Sequence, residues 1–258
     1  MNSLNLSRIN NDNHDICPCR KKLAFILSLN YDLILLQDTR VSDKLSQLES
    51  MLQLSILGSY KLINNSSMNS RGVSFIYKYN LDISISNIEK DIDENAMFID
   101  LHYNKMSFSI GIIYAPNRHQ DDFFEFLDRT INIRSDKPLF LIGDFNMVMD
   151  TNPNLFSNLD LYGAITYPNK MNRDLLEELI HDYSLIDVFR NKYPKTIAYS
   201  YVPFSDRMYG SRIDFVLCND KSSHLVSEIE YLPKLANCFD HRPIHCKIIF
   251  SNKMRLKN

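Results

Sequence analysis

An acid and an amide stand two positions apart at Asp144 and Asn146, inside the stretch 137–150, KPLFLIGDFNMVMD. The apolar run before them is short and is bounded by Pro138 and Gly143, so it reads as a buried strand. Strand alternation points Asp144 and Asn146 the same way and Phe145 the other. A carboxylate and an amide at the mouth of a core strand can handle a water or a phosphate. Other strand ends carry the same residue types: Asn5 after a short opening strand, Asp38 after DLILL, Tyr114 and Asn117 around Ala-Pro, Asp214 inside RIDFVLC, and the adjacent pair Asp240 and His241. Hard oxygen ligands of this kind suit Mg2+ or Mn2+. A histidine whose ring a separate carboxylate orients can donate or hold a proton. Such parts together can attack a phosphodiester, with one group activating water, a cation neutralising phosphoryl oxygens and donors holding the non-bridging oxygens. Taken singly, each is an ordinary turn or edge residue. Asp214 is the exception, because an acid within an apolar strand needs a partner.

The elements that must position them follow from the hydrophobic pattern. Strands are predicted at 32–36, 61–63, 73–78, 96–103, 106–114, 197–202, 212–218 and 243–250, with a weaker alternation over 81–88. Helices are predicted over 20–29, 43–57, 120–133 and 172–183, and 186–189 reads as a short turn or strand. Many strands follow one another with only a turn between. That favours two antiparallel or mixed sheets with helices outside over a strict βαβ series. No repeat or low-complexity linker divides the chain, so one α/β domain over 1–258 is expected, with a core to about 250 and a polar tail at 251–258.

Composition sets bounds. The 258 residues are 45% hydrophobic and carry a net charge of −2. A protein that only coats nucleic acid would be more basic, whereas an enzyme that meets it at one face need not be. No apolar run is long enough for a membrane span, and the N-terminus lacks the basic-then-apolar pattern of a signal peptide. The cysteines number five, and Cys17-Pro18-Cys19 has the wrong spacing for a zinc knuckle, so reduced structural thiols in an intracellular protein, nuclear or cytoplasmic, are expected.

The ordered segments SLN at 3–5, DLILLQDT at 32–39, RGVSFIY at 71–77, IIYAPN at 112–117, FLIGDFN at 140–146, LIDVFRNKYP at 185–194, SRIDFVL at 211–217 and DHRPI at 240–244 resemble the endonuclease/exonuclease/phosphatase superfamily. Within it they are most similar to the N-terminal endonuclease domain of LINE-type (non-LTR) retrotransposons. The resemblance implies a four-layer α/β sandwich, two packed mixed sheets flanked by helices, with the active site at one end. It implies a Mg2+- or Mn2+-dependent endonuclease that nicks duplex DNA for target-primed reverse transcription. Abasic-site nucleases, phosphatases and a catalytically impaired binding relative are the alternatives.

By resemblance, Asn5 and Asp38 hold the metal and Asp240 shapes its surroundings. Tyr114 donates to the phosphate, Asp144 activates the water and Asn146 positions it. Asp214 orients His241, which stabilises the developing charge. Asn117 is a supporting donor and Ser200 a hydroxyl facing DNA. The loop 204–210, with Arg207, Met208 and Tyr209, is a candidate for entering the minor groove. The chain is expected to act as a monomeric domain, without a membrane, at the front of a longer reverse-transcriptase polyprotein. Three departures stand out. Asp38 replaces the family's Glu and shortens the reach by about 1.5 Å. The segment after Asn5 lacks the usual Gly turn, leaving Asn10 or Asn11 as other ligands. Phe239 replaces a Ser before the Asp-His pair.

Overall fold

The structure, a computed structural model, describes residues 2–5, 25–40, 60–66, 70–149, 159–163, 170–203, 209–233 and 239–250. In chain order the elements are β1 (Asn2–Asn5), β2 (Leu33–Gln37), β3 (Tyr60–Asn65), β4 (Val73–Lys78), β5 (Ile83–Lys90), β6 (Ala96–Tyr103), β7 (Met106–Tyr114), α1 (Asp121–Arg134), β8 (Leu139–Asp144), β9 (Leu161–Tyr162), α2 (Lys170–Asp182), β10 (Ile186–Asp187), α3 (Val188–Lys192), β11 (Gly210–Ser211), β12 (Asp214–Cys218), α4 (Asp220–Ser223), β13 (Val226–Tyr231) and β14 (Ile244–Ile248). Two six-stranded sheets result, in the orders β13-β14-β1-β2-β4-β3 and β10-β12-β8-β7-β6-β5, beside a two-stranded β11-β9 ribbon. The β1–β2 and β7–β8 pairs are parallel and their neighbours antiparallel, so both sheets are mixed.

Strand alternation sorts the apolar side chains into layers. Leu33 and Leu35 of β2, Ile110 and Ile112 of β7, Phe140 and Ile142 of β8, and Val216 of β12 face inward and fill the space between the sheets. Their chain neighbours face outward. On one side Leu139, Leu141, Phe215 and Leu217 pack under Phe123, Leu127 and Ile131 of α1 and Leu176 and Leu179 of α2. On the other, Ile34 and Leu36 meet Ile26 and Leu27 from the helical turn at 25–28. Strands buried on both faces explain why these segments read as continuous apolar runs rather than as alternations. The expected sandwich, two sheets between outer helices, is the observed one.

Several boundaries differ from the sequence reading. The weak alternation at 81–88 is a full edge strand, β5, and 186–189 splits into β10 and the one-turn α3, whose first amides the Asp187 side chain caps through Arg190 N at 3.0 Å. The segment 197–202 is not a strand. Its backbone donors form no continuous ladder: Ala198 N goes to Leu159 O, and both Ser200 N and Tyr201 N go to Ser211 O of β11, leaving isolated bridges at Tyr201. The helix expected over 43–57 and residues 20–24 of the first expected helix lie outside the described residues.

One glycine fixes the end of β8. Gly143 has φ +151°, and a Cβ there would lie 1.9 Å from the Ile113 carbonyl oxygen of β7. We expect Gly143→Ala to destabilise the protein by more than about 2 kcal/mol, whereas Gly210→Ala, whose Cβ would meet Tyr199 at 3.3 Å, should cost much less. Urea unfolding midpoints of the two variants check this, and equal midpoints would contradict the role given to Gly143.

Candidate active site

Three adjacent strands place three polar side chains in one row. Tyr114 pairs with Asp144 across β7–β8, and Asp144 pairs with Asp214 across β8–β12. All three share the parity of the inward-facing core residues on their strands, so they point into the cleft between the sheets at one end. Apolar packing holds this row. The outward residues on either side, Ile113, Phe145 and Phe215, are anchored under the helices.

The opposite sheet supplies His241, just before β14. Its Nδ1 donates to Asp214 Oδ2 at 2.8 Å, and its Nε2 lies 3.8 Å from Asp144 Oδ2. The Asp214 carboxylate therefore fixes the ring orientation and leaves Nε2 facing Asp144. Burial alone would pull the imidazolium pKa down. Asp214, Asp144 and Asp240 outweigh that and push it up to about 9. Asp144 is nearly fully buried. Its Oδ1 accepts from Asn146 N at 2.8 Å, and Asn146 Nδ2 donates to Ala115 O at 2.7 Å. Asn146 sits at φ 52°, the left-handed region that Asn tolerates, and this turn folds its amide back toward β7. The Tyr114 hydroxyl is held well above the ordinary phenol range, first by burial and then by Asp38 and Asp144, so it stays protonated as a donor.

Asp38 follows β2 and is almost fully buried. The hairpin-like contact Thr39 N to Gly72 O at 3.1 Å and Arg40 N to Arg71 O at 2.9 Å pins its loop. Gly72 is required there, with φ +101° and a Cβ position only 2.4 Å from Ser66 Oγ. β1 runs parallel to β2 and brings Asn5 opposite Gln37, one residue before Asp38; the Asn5 side chain lies outside the described part. Asp240 is half-buried and adds negative charge that both His241 and Tyr201 feel. Asn117 stands exposed on the turn after β7. Ser200 does not face solvent. Its buried hydroxyl accepts from Ile213 N at 3.0 Å and Asp214 N at 3.1 Å, so it braces the start of β12 in place of a ladder partner. Arg207 and Met208 lie outside the described residues. Tyr209 is 6.3 Å, ring to ring, from Tyr201.

Two residues at the site were not singled out from the sequence. Tyr201 lays its ring 4.9 Å from the His241 ring and bridges to it through the backbone. Burial, then Tyr209 and the nearby carboxylates, raise its hydroxyl pKa to about 12. It was hidden in a segment read as a strand. Arg40 grips Asp38 with two hydrogen bonds of 2.8 Å and also engages the Tyr114 hydroxyl. A basic residue two positions past an acid was a legible signal, but its meaning depends on the loop geometry. A third group acts from behind. Arg212, fully buried, forks Asp160 at 2.7 Å through two nitrogens and meets Asp187 at 2.7 Å, tying the β12 entry to β10 and α3.

Among the described residues, Asp144, Asp214 and His241 are a group whose ligand-capable atoms lie within 4.8 Å of one another. Asp214 and His241 Nδ1 are already spent on each other, and a hard cation prefers oxygen. Asp38 is outside that group, but its buried carboxylate after β2 is a hard oxygen donor of the kind a divalent ion takes.

Comparison with known proteins places the fold and the family. The profile of the Endonuclease/Exonuclease/phosphatase family matches residues 9–236. A relative, the "Transposon TX1 uncharacterized 149 kDa protein" of Xenopus laevis, is 26% identical over 231 residues, covering 88% of this chain and 16% of that protein. The chain thus spans about a sixth of the length of the curated relative it matches. Among solved structures, the AP endonuclease LMAP of Leishmania major superposes with a TM-score of 0.73 at 15% identity, covering 97% of this chain and 87% of that one. The Xenopus laevis APE2 catalytic domain gives 0.68 at 18% identity, covering 98% and 93%. With its sandwich, its in-register polar row and a profile match across most of its length, the chain belongs to the Endonuclease/Exonuclease/phosphatase family.

Proposed function

We propose that this chain is a divalent-metal-dependent endonuclease that hydrolyses a DNA phosphodiester, nicking duplex DNA for a retrotransposon's target-primed reverse transcription. The observation that carries it is the in-register row Tyr114–Asp144–Asp214 with His241 bonded to Asp214. The similarity to a transposon protein supports the biological setting.

The residues divide the work by chemistry. Asp144, whose Oδ1 accepts from the Asn146 backbone N–H and whose Oδ2 faces His241 Nε2, orients and deprotonates a water. His241, protonated at neutral pH, presents an Nε2–H to the phosphoryl oxygens, with Asp214 holding the ring as negative charge develops. Tyr114, kept neutral, donates to a non-bridging oxygen. Asp38, with Asn5 on the neighbouring strand and Asp240 beside His241, would hold a Mg2+ or Mn2+ that neutralises the phosphate and leaving group. Tyr201 and Tyr209 form an aromatic wall beside His241, suited to a sugar or base edge.

The test is nicking of supercoiled plasmid with Mg2+ or Mn2+, run beside a duplex carrying an abasic site. Asp144→Ala and His241→Ala should each lower the rate by at least about 100-fold, and EDTA should abolish it. Equal nicking by all three proteins would discard the assignment. A strong preference for the abasic duplex would move it to an abasic-site nuclease.

His241 also links stability to pH. Its folded pKa of about 9 lies above the ordinary 6.5, so its contribution is fully present below pH 6.5 and is lost as pH rises through 9. In EDTA, the wild-type melting temperature should fall between pH 6.5 and 9 more steeply than that of His241→Asn. Parallel curves would contradict the charged His241–Asp214 pair.

A further inference from the structure

The Asp38 carboxylate is already occupied by a cation of the chain itself. Arg40 Nε donates to Oδ1 and Nη2 to Oδ2, each at 2.8 Å, in the two-pronged geometry that guanidinium and carboxylate share. The Asp38 side chain is 2% exposed and that of Arg40 37%, so the acid is deep and the base reaches it from the rim. Here both Asp38 (φ 51°) and Arg40 (φ 48°) adopt the left-handed conformation, and the amides of Thr39 and Arg40 are tied to Gly72 and Arg71. The loop is therefore built to curl the two side chains together, and the same guanidinium reaches Tyr114 at the row's edge.

A divalent ion at Asp38 would need a carboxylate oxygen at about 2.0–2.1 Å. It would have to share that oxygen with an N–H already donating to it, and sit beside a like charge. A short Asp side chain sharpens the conflict, because it keeps the carboxylate within its own loop. Leaving this acid without any counter-charge would strand a buried anion. The guanidinium and the ion are alternative solutions to one electrostatic requirement.

We propose that Arg40 is an intramolecular competitor of the divalent cation: it neutralises Asp38 in the metal-free protein and must be displaced for the ion to enter. The inference rests on the reading of Asp38 as a metal ligand. Metal affinity is then lowered by the strength of the Arg40–Asp38 fork, and ion entry releases a half-exposed arginine into the cleft.

Mn2+ binding, read by electron paramagnetic resonance of the free ion, tests this without reference to turnover. Arg40→Ala should bind Mn2+ at least about tenfold more tightly than wild type, with Arg40→Lys, a single-point cation, in between. In EDTA, Arg40→Ala should melt lower than wild type, and Mn2+ should raise its melting temperature more. If Arg40→Ala folds poorly, Arg40→Lys against wild type carries the comparison. Equal or weaker Mn2+ affinity in both Arg40 variants, with loss in Asp38→Ala, overturns the competitor and leaves the metal reading standing. Mn2+ binding that Asp38→Ala does not change overturns the metal reading, and the inference with it.

Discussion

The site depends on register. Tyr114, Asp144 and Asp214 meet because three strands end in phase, and strand alternation is unforgiving: a slip by one residue would turn each side chain to the opposite face. The outer layer resists such a slip. Ile113, Phe145 and Phe215 flank the polar row in sequence and are held under α1 and α2, so moving the acids outward would drag those groups into the cleft. The parallel β7–β8 pair brings its two strands to the same end, and β12 enters antiparallel there. Gly143 permits the close approach to the Ile113 carbonyl at that end. The hydrophobic effect thus supplies the precision and the polar groups inherit it.

Concentrating carboxylates at the end of a sandwich creates an electrostatic debt. Asp38, Asp144 and Asp214 are all buried, and each has a distinct answer. Asp214 holds His241, Asp144 holds the Asn146 amide and faces His241, and Asp38 holds Arg40. Further back, Asp160 and Asp187 share Arg212. That last network is structural in effect, because it joins the segments around 160, 187 and 212 and so sets the angle at which β12 delivers Asp214. Removing either acid would leave buried positive charge short of its counter-charge, and Arg212 meets both at once.

Much of this was legible in the residues. Strands 96–103 and 106–114 fall where their apolar patterns end, and Asp144 and Asp214 lie together with His241. What escaped was whatever depends on non-repetitive backbone. Left-handed φ at Asp38, Arg40 and Asn146 leaves no mark in hydrophobic periodicity, so the Arg40 fork could not be seen. The segment 197–202 has strand composition but makes only isolated bridges instead of a ladder, with Ser200 turned inward as a brace and Tyr201 toward His241. The motif LIDVFRNKYP was noticed for its order in the chain; its physical content is that Asp187 caps a one-turn helix and also grips Arg212.

The Asp at position 38, where the family resemblance implies Glu, is best understood together with Arg40. A shorter acid alone would weaken a metal site by withdrawing a ligand, and the natural inference would be decay. The structure shows instead an acid whose oxygens are both engaged, in a loop with two left-handed residues and a glycine that nothing larger can replace. Strained backbone persists only where surrounding contacts enforce it, and here the enforcing contacts are the two amides tied to Arg71 and Gly72. The short side chain and the curled loop therefore form one arrangement, in which the protein brings its own positive charge to a buried carboxylate.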